Sequence, residues 1–342
     1  MNHVKLIIPS RVSHISQIIT GFLLLREQGW DVELIDRSKD GNGPFFDLPV
    51  ALAEYRGRSL LYDLWDGYQN PEGMAEGLKR SDLYFKRSFD EARNAALFPS
   101  EGRKIRPLGF NYHVTCRDNP INEPVWRDAA KRLLGRAPER YFTPEVFEEE
   151  PEKSTGPARI LFLTQLWDTD DPTLSPEDNR ERERINASRI QIIRALRQRF
   201  GVFFLGGLNN THSRLSQELA PELIVDRRLT ERRRYLQTVH SCDICIGTMG
   251  LYESIGWKTG EYVAAGKAIV NERFHYVPGG GFREGTNYLS FETPEQCIQA
   301  VEALAADPEK RFQMRQANSR YYRRFLRPDQ LVLRTLEQAD AL

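Results

Sequence analysis

The chain of 342 residues is poor in cysteine, carries no surplus of either charge and contains no long apolar run. Each absence excludes something. Cys116, Cys242, Cys245 and Cys297 are irregularly spaced, which argues for a reducing cytoplasm and against a disulfide framework. No stretch approaches the roughly 20 apolar residues that a membrane span needs. The opening MNHVKLIIPSRVSH has a short apolar run with no small-residue cleavage site after it. It reads as a strand rather than a signal peptide. The 48 basic and 48 acidic side chains cancel, so there is no net positive field and no nucleic-acid partner is expected. The segment IIPSRVSH lacks a Gly-x-Gly-x-x-Gly turn, which disfavours a dinucleotide dehydrogenase.

What is present is enough apolar residue for two cores. The hydrophobic fraction is 40%, with 11% aromatic, and the length fits two domains of about 150 residues each. VKLIIP (4–9) is a β-branched apolar run, SQIITGFLLLREQG (16–29) has helical spacing and stops at Gly29, and WDVELID (30–36) alternates as a second strand. Further strands are expected at SLLYDLW, SDLYFKRS and KIRPLGF. The succession reads as a parallel, doubly wound α/β sheet. After EPVWRDAAKRLLGRAPERYF, the run TPEVFEEEPEKSTGP is rich in Pro, Glu, Ser and Thr and reads as a linker.

The pattern then restarts. Strands are expected at ARILFLTQLW, VFFLGG, DICIGT, KAIVNE and NYLSFE. Helices are expected at RINASRIQIIRALRQRFG, RRRYLQTVHSC, IGWKTGEYVAAG and from Thr293 to Phe325. The expected division is 1–145, a linker at 146–158, a second domain at 159–318, and a C-terminal helix at 319–342 crossing back to the first domain. Ligands of such sheets lie beyond the carboxyl ends of the strands, so the cleft between the domains is the default site.

The stretch MGLYESIGWKTGEYVAAGKAIV follows the strand DICIGT and places Glu253 and Glu261 with seven residues between them. The loop–helix junction falls at Ser254, Ile255 and Gly256. A helix start offers unpaired N–H groups and a partial positive charge, which suit a phosphate. Gly250 and Gly256 permit close backbone approach. Glu253 precedes the helix, where its carboxylate can meet a polyol, and Glu261 lies about a turn and a half inside. Sugar and ribose hydroxyls are donors, and an ionised carboxylate accepts two at once. Lys258 is either a further contact to the diphosphate or an exposed charge.

These residues resemble the retaining family 4 glycosyltransferases and their relatives with the GT-B fold, in which two Rossmann-like domains face each other across a cleft. The likeness rests on Glu253, Gly256, Glu261 and AAGKAIV (264–270). It continues into EGTNYLSFETPEQCIQAVEALAADPEKRFQM and, more faintly, IRPLGFNY. The KTGEY helix is similar to that of the sporulation- and polysaccharide-associated branch. The resemblance implies a hexosyltransferase acting with retention on a nucleoside-diphosphate sugar, with a glycan or lipid-linked glycan as acceptor. Glu253 would bind the hexose, Glu261 the ribose, and the backbone of Ser254 to Gly256 the diphosphate. No metal and no cofactor beyond the donor substrate is implied. The family's Arg and Lys near the diphosphate have weak counterparts here in Arg184 and Arg189, on a helix.

Other features carry two readings each. Asp168 to Asp171 contain Asp-x-Asp after a strand, which suits a divalent metal or an acidic loop. His240, Cys242 and Cys245 suggest zinc, but no second pair supplies four ligands, so the cysteines read as core. The glycines at 279–281 make a lid or a long turn. At the strand ends of the first domain, Asp66 is the candidate catalytic residue. His14, Asp63, Lys86, Arg87 and His113 are acceptor-side candidates, for binding or as a general base, or else are packing. The arginine clumps at 179–199, 226–236 and 320–328 are solvated helix faces, a diphosphate clamp, or a peripheral contact with an anionic membrane. Two rival functions remain: a nucleotide-sugar epimerase or hydrolase on the same fold, and a non-catalytic nucleotide- or carbohydrate-binding module.

Overall fold

A computed structural model describes residues 2–40, 45, 48–122, 142–154, 156–169, 172–209 and 213–342. The chain divides into two compact units. The first comprises residues 1–147, 276–281 and 322–342, and the second 148–275 and 282–321. Each is a Rossmann-like α/β unit around its own sheet, the class expected from the sequence.

Among the described residues the first unit holds six strands: β1 (His3–Ile8), β2 (Asp31–Asp36), β3 (Val50–Tyr55), β4 (Arg58–Asp63), β5 (Leu83–Lys86) and β6 (Ile105–Pro107). Their order is β2-β1-β3-β4-β5-β6. The expectation of a wholly parallel sheet is corrected here, because β3 runs antiparallel to both β1 and β4. β3 and β4 form a hairpin whose two turn residues, Arg56 and Gly57, have φ of 49° and 75°. Two positive φ values in a two-residue loop match the twist of the strands they join. The usual Asn-Gly or Asp-Gly signal is absent, which is why β3 escaped the sequence reading.

The Ser16–Glu27 helix packs against β2 and against the C-terminal Pro328–Asp340 helix. Contact is closest at Gly21, where a Cβ would stand 2.2 Å from the Pro328 carbonyl oxygen and 2.9 Å from Val332 Cγ1. Gly21→Ala therefore forces the helices apart, and we expect it to lower stability by about 1–3 kcal/mol. The urea midpoint measures this, and an unchanged midpoint would contradict the close crossing. Tyr62 anchors the same C-terminal helix to the sheet, its hydroxyl lying 2.6 Å from Thr335 Oγ1. The segment Tyr276–Gly281 belongs to this unit, and the Val277 amide donates to the Phe89 carbonyl at 2.9 Å.

Among the described residues the second unit has five strands, all parallel: β7 (Ile160–Thr164), β8 (Phe204–Leu208), β9 (Ile244–Gly247), β10 (Ala268–Glu272) and β11 (Leu289–Phe291), ordered β11-β10-β9-β7-β8. β7 is buried along its whole length, as a central parallel strand covered on both faces must be. The Pro176–Phe200 helix begins well before the apolar periodicity expected from Arg184 onward. Ser175 and Asp178 close a capping box, and Pro176 occupies the first turn. Its early turns are charged, so they carry no burial signal in the sequence.

The stretch expected to be a linker is fastened to the second unit from Glu148 on. Glu149 accepts hydrogen bonds from buried Lys267 at 2.7 Å and from Arg315 at 3.0 Å. Residues 123–141, Asp170 and Asp171 lie outside the described residues. Among the described residues no helix is long and apolar enough to cross a membrane.

Candidate functional site

β9 ends at Gly247, a loop runs to Gly256, and the Trp257–Ala264 helix follows. Within that loop Tyr252 and Glu253 both adopt left-handed backbone, with φ of 58° and 60°. Such conformations cost a non-glycine residue about 1–3 kcal/mol each and persist only where the surroundings enforce them. Glu181, on the Pro176–Phe200 helix, supplies that enforcement. Its Oε1 accepts the Tyr252 amide at 2.9 Å. Burial holds the Glu181 carboxyl above its ordinary range, opposed by the backbone amides of Tyr252 and Glu253. The strained turn thus aims Glu253.

Glu253 faces a cavity of about 320 Å³ shared with Glu181, Arg184, Gly250, Glu272 and His275. Its side chain is 35% exposed, and Oε1 lies 3.6 Å from His275 Nδ1. Burial pushes the Glu272 carboxyl up, and its Oε2 accepts the Met249 amide at 2.6 Å. Arg184 is an exposed member of the wall. The cavity therefore combines hydroxyl-accepting carboxylates with cations beside a helix start. Gly256 is the N-cap and provides no side-chain acceptor. The Ser254 and Ile255 side chains are buried, so what these two residues can offer a ligand is backbone.

Lys258 turns inward. Its Nζ donates to the Leu163 carbonyl at the end of β7 and lies over the Tyr235 ring, 5.7 Å from the centroid. Burial pushes its pKa down to about 8. Arg189 is also buried, and desolvation lowers it to about 10. Its guanidinium donates to Thr248 Oγ1 at 3.1 Å, the Gln165 carbonyl at 2.6 Å and the Met249 carbonyl at 3.0 Å. It ties the loop after β7 to the loop after β9, and so builds the wall on which Glu253 stands.

Glu261 has a different environment. It is 2% exposed, and its Oε1 accepts Arg232 Nη2 at 2.6 Å. It is not among the residues lining the Glu253 cavity. Asp168 accepts from Arg182 through its carbonyl at 2.7 Å and from Ser213 Oγ at 3.4 Å. Among the described residues no three His, Cys, Asp or Glu side chains converge as a metal-binding group. Cys242 and Cys245 are buried, and burial raises both thiols, Cys242 to about 11.

In the first unit the structure separates the candidates into two groups. Asp63 and Lys86 form a buried ion pair at 2.8 Å, joined by the Tyr84 hydroxyl at 2.7 Å and the Trp65 amide at 2.8 Å. Lys86 Nζ also lies 4.6 Å from the Tyr68 ring centroid. Asp66 instead pairs with the buried Arg87 guanidinium. His14 lies close enough to both to feel their charge: burial lowers its pKa, Asp66 raises it and Arg87 lowers it. His14, Asp66 and Arg87 are thus brought together at the carboxyl ends of β1, β4 and β5. His113 is exposed.

Sequence reasoning missed Glu181, Glu272, His275 and Arg232. Glu181 lies in a run of alternating charge that reads as a solvated face, and His275 follows a strand with no motif around it.

No family model and no curated protein matches the sequence. Solved structures do show similarity. The C-terminal domain of LpcC, a glycosyl transferase group 1 family protein from Francisella tularensis, matches at 11% identity over 53% of this chain and 95% of that one, with a TM-score of 0.34. HepE of Anabaena, solved in complex with UDP and glucose, matches at 14% identity over 98% and 100%, with a TM-score of 0.41. A putative UDP-N-acetylglucosamine 2-epimerase from Listeria monocytogenes matches at 10% identity over 97% and 95%, with a TM-score of 0.44.

Proposed function

We propose that the chain is a GT-B glycosyltransferase moving a sugar from a nucleoside-diphosphate donor to a hydroxyl of a glycan or lipid-linked glycan in the cytoplasm. The observation that carries this reading is Glu253, held in left-handed backbone by Glu181 at the wall of a polar cavity, immediately before an uncapped helix start. The carboxylate accepts sugar hydroxyls while the helix amides and Arg184 take the diphosphate. The bond from the anomeric carbon to the diphosphate breaks, and the acceptor oxygen takes its place. Charge stabilisation of the departing diphosphate drives this step. Transfer proceeds with retention and without a metal.

Asp66 and His14 are the proton acceptors offered to the acceptor hydroxyl. Its pKa being lowered, His14 is neutral near pH 7 and able to take a proton. A lipid-linked acceptor would bring the chain to an anionic membrane, toward which exposed Arg320, Arg323 and Arg324 present positive charge.

One observation favours a second reading. Glu253 and His275 stand 3.6 Å apart in one cavity, an acid–base pair such as a nucleotide-sugar epimerase or hydrolase needs. Thermal unfolding with nucleoside diphosphates and their sugar conjugates tests donor binding. A ligand at a hundredfold excess over its dissociation constant should stabilise the chain by about 2.7 kcal/mol. Absence of any shift contradicts both enzyme readings, and fast turnover of donor without acceptor selects the second.

A further inference from the structure

The Glu253 cavity carries more acid than gripping a sugar requires. Glu181, Glu253, Glu272 and Glu292 line it, against Arg184, Arg273 and His275. Most of these groups are already engaged. Arg273 and Glu292 pair at 3.2 Å, and His275 stands 3.6 Å from Glu253. Glu181 is taken up by the backbone amides of Tyr252 and Glu253. Glu272 differs. It is the last residue of β10, and its Oε2 is fixed by the Met249 amide at 2.6 Å. Its Oε1 has no hydrogen-bond partner among the described residues, and its side chain forms no ion pair there.

Cations act on Glu272 only from a distance: Arg184 and Arg189 from the Pro176–Phe200 helix, and His275 from the loop that follows β10. Arg189 is committed to Thr248, Gln165 and Met249. Once Arg184 meets the diphosphate, no cation lining the cavity remains for an anionic group on the sugar. Glu272 is partly buried, so water and salt screen its charge less than they would at the surface.

We propose that Glu272 is a specificity-determining residue that bars acidic sugars: its carboxylate repels a uronate, and the cavity takes a donor whose sugar carries hydroxyls but no carboxylate. This rests on the donor reading above and adds to it the class of sugar. Selection of this kind works by excluding the wrong ligand rather than by gripping the right one.

The test is NMR titration, at pH 8, of wild type and Glu272→Gln with α-glucose 1-phosphate and α-glucuronate 1-phosphate. The two esters carry the sugar and first phosphate of a donor, whatever its base. Wild type should bind the glucose ester at least about tenfold tighter, the effect of like charges a few ångströms apart at a partly buried site. Glutamine keeps an oxygen for the Met249 amide and removes only the charge. Glu272→Gln should therefore hold the glucose ester within about twofold of wild type, which also shows that it folds, and narrow the preference to about threefold or less. A merely structural role would weaken both esters alike and leave their ratio unchanged. A glutamine variant with the wild-type ratio overturns the role of Glu272. A wild type that takes the two esters equally, prefers the glucuronate or binds neither overturns the proposal. The donor reading is decided separately by the nucleoside-diphosphate screen above, and a shift there leaves it standing.

Discussion

Replacing Glu253 by glutamine is expected to lower sugar transfer by roughly 10²- to 10³-fold while nucleoside-diphosphate affinity changes less than about twofold. Glutamine preserves the size of the side chain and leaves the backbone turn held by Glu181. It removes the charge, and it replaces an acceptor of two hydroxyls with a group that can accept through only one atom. Hydrogen bonds to a charged group are worth about 1.5–3 kcal/mol each, so losing one outright and the charge assistance of the other accounts for about 3–4 kcal/mol. The effect should fall on the sugar, because Glu253 lies at the cavity wall rather than among the helix amides. Rates from single-turnover assays and affinities from calorimetry measure the two halves. Equal loss of nucleotide affinity and of transfer would place Glu253 on the nucleotide instead.

Lys86→Ala should be the most damaging single change in the first unit, lowering stability by about 3–5 kcal/mol. The variant leaves Asp63 buried with the Tyr84 hydroxyl and the Trp65 amide but without its cation. The cost is that of an unpaired buried charge rather than the worth of the pair. The double variant Asp63→Asn with Lys86→Met should therefore recover much of the loss. Urea unfolding of the three proteins provides the measurement. A double variant no more stable than Lys86→Ala would mean that the loss does not come from leaving Asp63 unpaired.

The same pair shows how far residue type and position can take a reading. Asp63 and Lys86 stand at strand ends, where ligand contacts belong, and nothing in their local sequence says that each is the other's partner. Asp66 and Arg87, at the ends of the same two strands, pair separately beside His14. In the fold, the strands of the second unit were legible because parallel strands buried on both faces read as apolar runs. β3 was not, since its hairpin turn is Arg-Gly and its alternation is interrupted by alanines. The charged opening turns of the Pro176–Phe200 helix were invisible for a related reason: capping, not burial, forms them.

At the site, the loop–helix junction and the placement of Glu253 before it followed from glycine and apolar spacing. The left-handed turn did not, because the group that enforces it, Glu181, lies 71 positions away along the chain. Burial of Glu261 was equally hidden, since its partner Arg232 belongs to another helix 29 residues upstream.

The most direct measurement is amide hydrogen exchange on the wild-type chain with and without a saturating nucleoside diphosphate, resolved over peptides spanning Met249–Glu261. A donor seated at the helix start slows exchange of the amides around Ser254 to Lys258, and addition of the sugar conjugate extends the protection to Tyr252 and Glu253. Protection confined to another part of the chain, with these amides exchanging as in the free protein, would contradict the account.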